Sequence, residues 1–414
     1  MLSRILPVPG PGRVLAVATL LMTMGQGAFM TCSALYFTTV AGLSVAQWGL
    51  GLTIAGAVGL FAGIPLGHLA DRKGPRGTTA ILVALNGAAA AGYLFVGTFA
   101  QFLLAASAFI VLERGSRAAL QAAIAGTLSG TDLVATRAYL RSVTNVGLAV
   151  GAGLAGVALQ VGSPAALRTV LVLDAAGFLL SGLVMTALPP IPPSPKAAGE
   201  PRLAVLRDRP FVLVTALSAV LALHAVLLEL VIPLWIARHT DAPRWMVTVL
   251  FLLNTISVVT FQVRIAKGVP DLTHAVRAIG LAGFVLAAAC LLFAASSTHT
   301  ALLSAVFLVL AGGVHAYGEM IFSAAAWTIG FGLAPAHRQG QYQGFFFTGY
   351  AVAMMIAPTF LTVVVIEGGA LGWLVPAVLF VAAGLALRPV VARAERDRLA
   401  AAMTPGGLTH RPKE

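Results

Sequence analysis

Three groups of ionisable side chains stand inside long apolar runs, and they define the chemistry available to this chain. Glu113, Arg114 and Arg117 lie near the middle of one run. Glu113 and Arg117 are four residues apart and share a helix face, where they can pair, while Arg114 points about 100° away. His224 and Glu229 occupy a second run, and His315 and Glu319, again four apart on one face, a third. A charge at the centre of a bilayer costs about 2.5–3.5 kcal/mol on insertion scales, so each of these residues is a functional candidate by default. The fitting chemistry is proton exchange, because carboxyls take up and release protons and histidine titrates near neutrality when unperturbed. Glu113, Glu229, His315 and Glu319 are therefore expected to take up and release protons. The competing readings are a self-neutralised ion pair at Glu113 and Arg117 and ordinary packing for each histidine.

Other chemistries find no support. H-A-Y-G-E, from His315 to Glu319, lacks the further ligands a metal needs. No phosphate-binding G-x-x-x-x-G-K-[ST], no G-x-S-x-G and no H-E-x-x-H occurs, so neither ATP hydrolysis nor an intramembrane hydrolase is expected, and no cofactor. Cys32 and Cys290 fall inside apolar runs, outside any metal or redox spacing.

The elements that must position these residues are membrane helices. The chain has 414 residues, 59% hydrophobic and 10% charged, with a mean hydropathy of +0.93. That is outside the range of soluble domains, and the apolar runs are too long and unbroken for barrel strands. Twelve spans are expected at 13–40, 46–68, 77–98, 101–127, 138–161, 165–188, 210–237, 244–265, 274–296, 299–331, 341–366 and 370–391. The proline-rich, charged stretch 189–209 follows the sixth, so the expected fold is all-α, with a six-helix bundle at 1–188, a linker at 189–209, a second bundle at 210–391 and a tail at 392–414. The halves echo each other in Trp48 and Trp245, and in Tyr139 and Tyr342. With the N-terminus inside, 21 of the 26 Lys and Arg residues fall on cytoplasmic segments, which places both termini in the cytoplasm of a multi-pass protein of the cell (inner) membrane. The net charge of +12 is spread over short loops and so reflects topology, not nucleic-acid binding.

Span 2 carries Ala55, Gly59, Gly63 and Gly67 at intervals of four, and span 5 carries Gly147, Gly151 and Ala155, small-residue stripes that admit close helix neighbours. Asp174 in span 6 reads as a helix-contact residue. Between spans 2 and 3 runs G-H-L-A-D-R-K-G-P-R, residues 67–76, where Gly74 and Pro75 suit a tight reversal.

This stretch, G-x-L-A-D-R-x-G-x-R, resembles the helix 2 to helix 3 signature loop of the major facilitator superfamily, the twelve-helix secondary transporters. The string G-L-A-V-G-A-G-L-A-G of span 5 resembles, more weakly, the G-x-x-x-G-P-x-x-G-G motif of the drug:proton antiporters in that family, with Ala152 in place of the proline. The resemblance implies that Gly67, Asp71, Arg72, Gly74 and Arg76 form a cytoplasmic gate, Asp71 being its latch and Arg141 a partner. The loop after span 8 keeps Arg264, Lys267 and Gly268 but has no matching Asp. In the family, spans 1, 4, 7 and 10 line the cavity, which implies substrate contacts for Met24, Gln26, Phe29, Met30, Arg117, His224, Tyr317 and Phe322. The implied function is alternating-access transport of a small organic substrate with protons as coupling ion, by a monomer in the lipid bilayer; the resemblance adds Arg114, at the place of the family's helix 4 arginine, to Glu113, Glu229, His315 and Glu319 as proton-coupling residues. Efflux of an amphipathic compound is expected first and uptake of a small metabolite second. A non-transporting sensor or scaffold is the reading of another class.

Overall fold

The computed structural model describes residues 10–128, 130–193, 203–297 and 300–403, and among these every regular element is a helix. In chain order they are α1 (Pro11–Val40), α2 (Val45–Gly59), α3 (Gly63–Lys73), α4 (Pro75–Phe95), α5 (Phe99–Thr127), α6 (Gly130–Val161), α7 (Pro164–Met185), α8 (Arg209–His239), α9 (Met246–Lys267), α10 (Leu272–Ala295), α11 (Ala301–Leu333), α12 (Ala336–Glu367) and α13 (Gly369–Arg396). Eleven are long and apolar enough to cross a bilayer; α2 and α3, bent by 46° at the break between them, make the twelfth span together.

The helices begin where polar side chains cap them. Ser44 with Gln47 and Thr98 with Gln101 form reciprocal capping boxes at α2 and α5, and Ser163, Asp208 and Asp271 accept backbone N–H bonds at α7, α8 and α10. The bonds from the backbone and ring of His274, the larger from the backbone, hold the exposed Asp271 carboxyl below its ordinary value.

The stretch 67–76 departs from the expected loop. Helix α3 continues through Lys73, so Asp71 and Arg72 are helical, and the reversal is confined to Gly74, at φ 98°, with Pro75 already in the first turn of α4. Glycine reaches that φ without a Cβ penalty, and proline at the start of a helix forfeits an N–H that had no partner anyway.

Chain contacts divide the protein into two units. The first holds residues 1–203 together with 258–267 and 334–351; the second holds 204–257, 268–333 and 352–414. Helix α12 thus begins in the first unit and ends in the second.

In the first unit α1 packs on α6 and α7, and α4 on α5 and α7. The small-residue stripes make these contacts. Gly147 and Gly151 of α6 lie against the Thr23 side chain and the backbone of Met24 and Ala28, and Gly27 against the backbone of Leu148. Around them an aromatic cluster fills the core: Phe37 and Phe102 rings are 4.7 Å apart, Phe37 and Tyr93 5.2 Å, and Phe109 and Phe178 5.7 Å. Since lipid is as apolar as the helix faces, such close packing is what holds membrane helices together.

In the second unit α10 packs on α11 and α13, with Gly283 and Gly384 at the contact. Trp235 is fully buried, stands at right angles to Trp373 and donates its indole N–H to Ser296 Oγ at 3.0 Å.

We predict that Gly151→Leu lowers thermal stability in detergent by about 1–3 kcal/mol, because its Cβ would drive into the backbone of α1. Gly153→Leu, on the open face of the same helix, is expected to leave the melting temperature unchanged. Equal effects of the two would mean that α1 and α6 do not meet at Gly151.

Candidate functional site

The site of the first unit starts from Asp71. Asp71 is buried, and its carboxylate accepts the backbone N–H of Gly340 at 2.8 Å and of Gln341 at 2.9 Å. After a 3-10 turn at Ala336–Arg338, α12 becomes α-helical at Gln339, and those amides belong to its first α-helical turn, where N–H groups have no partner within the helix and the helix dipole is positive. Arg72 and Arg338 are the cations whose charge reaches the carboxylate. A carboxylate from α3 therefore caps α12 across 269 residues of chain. Two glycine pairs let the backbones approach. A Cβ on Gly63 would come 3.2 Å from the carbonyl of Gly344, and one on Gly340 2.9 Å from Asp71 Oδ1, while Gly67 lies against the Gly340 carbonyl. The break between α2 and α3 is served by the same neighbour, since Thr348 Oγ1 donates to the Leu60 carbonyl at 3.1 Å. Arg76 donates to the carbonyl of Thr186 at the end of α7. Arg141 lies within electrostatic reach of Arg137 on α6.

Deeper in the same unit, Glu113 accepts Arg117 Nη2 at 2.6 Å and Gln26 Nε2 at 3.1 Å, so one carboxylate ties α5 to α1. The i,i+4 pairing expected from sequence is formed. The Arg117 side chain stays 42% exposed, which leaves guanidinium donors available beyond Glu113. Arg114 Nε is buried with no hydrogen-bond partner among the described residues, and the Tyr350 hydroxyl lies within electrostatic reach of both arginines. Phe29 stacks on Tyr93 at 5.3 Å and belongs to the aromatic core. Met24 is half-buried with its backbone under Gly147 and Gly151, and Met30 is exposed.

The site of the second unit lies on α8, α9 and α11. Glu319 is buried and accepts Asn254 Nδ2 at 2.8 Å. One turn earlier, the buried His315 places Nε2 3.1 Å from the carbonyl of His224. A carbonyl only accepts, so the proton of His315 sits on Nε2. The His224 ring stands edge-on to His315 and to Phe322, each at 5.3 Å. Just beyond, α8 widens into a π-helical turn at Leu227–Val231. Pro233 explains it: the ring removes the N–H that the Glu229 carbonyl would accept and crowds that carbonyl. Glu229 in this turn is exposed, as is Tyr317 on α11.

Residue spacing thus located Asp71, Glu113 and Glu319 and the pairing of Glu113 with Arg117, but not the other groups around them. Gly340, Gln341 and Asn254 were missed because a backbone N–H or an amide in an apolar helix carries no charge signal in sequence, and Arg338 and Tyr350 because they stand far from these acids along the chain.

Two units of packed membrane helices, with an acid of α3 capping a later helix, delimit the family. The Major Facilitator Superfamily model matches residues 15–358. The chain belongs to the major facilitator superfamily. Among solved structures, a bacterial homologue of the iron transporter ferroportin in its outward-facing state superposes with a TM-score of 0.72 at 16% identity, over 93% of this chain and 99% of that one. The human organic anion transporter MFSD10 (TETRAN) gives a TM-score of 0.64 at 16% identity over 93% and 98%. The proton:xylose symporter XylE gives 0.66 at 13% over 92% and 95%. At these identities the likeness is one of fold. Among curated proteins no sequence match is found. As a member of this superfamily the chain has a transporter fold, not that of an enzyme.

The pairing at Glu113 is expected to show in a double-mutant cycle. Glu113→Gln and Arg117→Met, each alone and together, should give a coupling of about 1.5–3 kcal/mol in thermal stability; additive effects would mean that the side chains do not meet in solution. Asp71→Asn leaves one acceptor where two amides need partners. It should raise hydrogen exchange at Gly340 and Gln341 selectively, with a loss of about 1 kcal/mol. Unchanged protection there would remove the cap.

Proposed function

We propose that this superfamily member is a proton-coupled secondary transporter that exports an amphipathic organic compound by alternating access. The observation that carries the reading is Glu319, a buried acid hydrogen-bonded to the neutral amide of Asn254. A carboxyl held by an amide keeps a partner in either protonation state, since the amide offers both a donor and an acceptor. It can therefore take up and release a proton without leaving a buried group unsatisfied. Glu113 is instead held by Arg117, which suits a fixed charge. His315, whose charge couples to Glu319 through space, is placed to relay the proton, and Glu229 on its widened turn to exchange it.

Gating falls to Asp71. By capping α12 it holds closed the end of the first unit that bears the basic residues Arg72, Arg76 and Arg338, which the positive-inside rule assigns to the cytoplasm. Release of α12 from the carboxylate is then the opening step, and the unpaired first turn sets its cost. For substrate, the first unit offers the adaptable apolar side chains of Met24 and Met30 with Gln26 as a polar contact, and the second offers Tyr317 and Phe322 with His224. The molecule works as a monomer, with both termini cytoplasmic in the cell (inner) membrane.

The exposed guanidinium of Arg117 supports a second reading, uptake of an anionic or zwitterionic metabolite. Proteoliposomes decide between them. Amphipathic amines and small carboxylates that raise the melting temperature are loaded inside or outside, with a pH dye reporting protons. Export coupling is expected: amine movement out against proton movement in. Glu319→Gln should cut substrate-driven proton movement by an order of magnitude or more while binding changes less than threefold. A variant that moves protons like the parent would take the carrier role from Glu319. Carboxylate uptake lost in Arg117→Met would favour the second reading.

A further inference from the structure

The first unit contains a second acid that the scheme above does not use. Asp174 on α7 is 1% exposed, and both its carboxyl oxygens are buried without a hydrogen-bond partner among the described residues. The neighbouring helices explain why. On the α1 side Gly25 lies against it, where a Cβ would come 2.6 Å from Asp174 Cα and 3.0 Å from its Oδ1, so at this point α1 presents backbone and no side chain to the acid. The next residue, Gln26, directs its amide to Glu113 instead. On the α4 side Gly87 lies 2.9 Å from the Ala175 carbonyl in the same sense, and Asn86 beside it is wholly buried with both amide atoms unpartnered.

The charges around Asp174 do not supply a counter-ion. Glu113 on α5 is the charge that bears on it, and Tyr93 at the end of α4 is within reach of both acids. Cys32 on α1 donates to the Ala155 carbonyl. On its own helix, Arg168 is engaged with the Tyr36 hydroxyl. A carboxylate removed from water with neither hydrogen bonds nor a cation is too costly to persist, whereas the neutral acid is tolerated. A buried acid whose neighbour on α1 is a glycine is also one that a small shift of α1 would wet.

We propose that Asp174 is a proton-binding site of the first unit, occupied while α1 packs against α7 at Gly25 and emptied to water when that contact opens. In this role Glu113 carries the fixed negative charge and Asp174 the exchangeable proton, so the two acids divide between them what Glu319 does alone in the second unit. The coupling role rests on the function proposed above; the proton itself is a property of the site and is tested without transport.

The test is infrared difference spectroscopy of the purified full chain in lipid nanodiscs, driven by a pH jump from neutral to alkaline. The parent is expected to show at neutral pH a carboxylic acid C=O band that shifts in D2O, that Asp174→Asn removes and that Glu113→Gln leaves in place. A band unchanged in Asp174→Asn overturns the proposal. So does loss of folded protein in that variant, because asparagine replaces a neutral carboxylic acid at the least cost and fails only where the charge was required. Gly25→Ala, which pries α1 from Asp174, should move the pH at which the band disappears towards neutrality; an unmoved transition would separate the proton from the helix contact and overturn that part. Were the parent to carry substrate without moving protons, the coupling function would fall while the band still reported the proton on Asp174.

Discussion

The first unit depends on one cap. The first α-helical turn of α12 carries amides that cannot bond within the helix, and two of them, at Gly340 and Gln341, are buried. Asp71 meets two of them, and it can do so only because the chain has no side chains at Gly63, Gly67, Gly340 and Gly344 to keep the backbones apart. Replace the glycines and the carboxylate no longer reaches; replace the carboxylate and the close approach leaves N–H groups stranded in a dry contact. The cap and the glycine pairs are therefore one device, and the break after Gly59 belongs to it, because Thr348 supplies the donor that the interrupted helix lacks.

This device shows how far the sequence could be read. The all-helical fold and its spans follow from hydropathy, because lipid imposes one rule on every span; the linker expected at 189–209 lies in part outside the described residues, and the role of 67–76 is implied by the family resemblance. The helical state of Asp71 does not follow. Charge and Gly-Pro punctuation suggested a loop, yet Gly74 alone supplies the positive φ that the reversal needs, and the six residues before it stay helical because α12 stabilises that face from outside. Partners remote in sequence were equally hidden. Glu113 with Arg117 was legible as an i,i+4 pair, whereas Gln26 with Glu113 and Asn254 with Glu319 depend on which helices pack together. Phe29, expected at a cavity wall, is partly buried and packs against the aromatic core, a contact that its residue type alone does not foretell.

The two units handle buried acids by different means, and the difference has a physical reading. An acid beside a guanidinium gains a strong charge-assisted bond but is fixed in its ionised state. An acid beside a primary amide keeps a bond in both states, and an acid with no partner is restricted to the neutral one. Glu113, Glu319 and Asp174 occupy these three conditions in turn.

The backbone irregularities complete the argument. Where α8 runs past Pro233 it cannot keep regular α-helical hydrogen bonds, and the turn widens at the residue that bears Glu229. The carbonyl of His224, just before the widened turn, is taken by His315. A hydrogen bond from a histidine to a carbonyl beside a weakened turn joins the tautomer of the ring to helix geometry. If the His315 ring turns, or its proton moves to Nδ1, the His224 carbonyl loses its donor, and α8 loses a tie to α11 at the point where its own ladder is thinnest; a second proton on the ring leaves the Nε2–H bond in place. The position of one proton on His315 is in this way set against the shape of α8, at the turn already least able to hold its form.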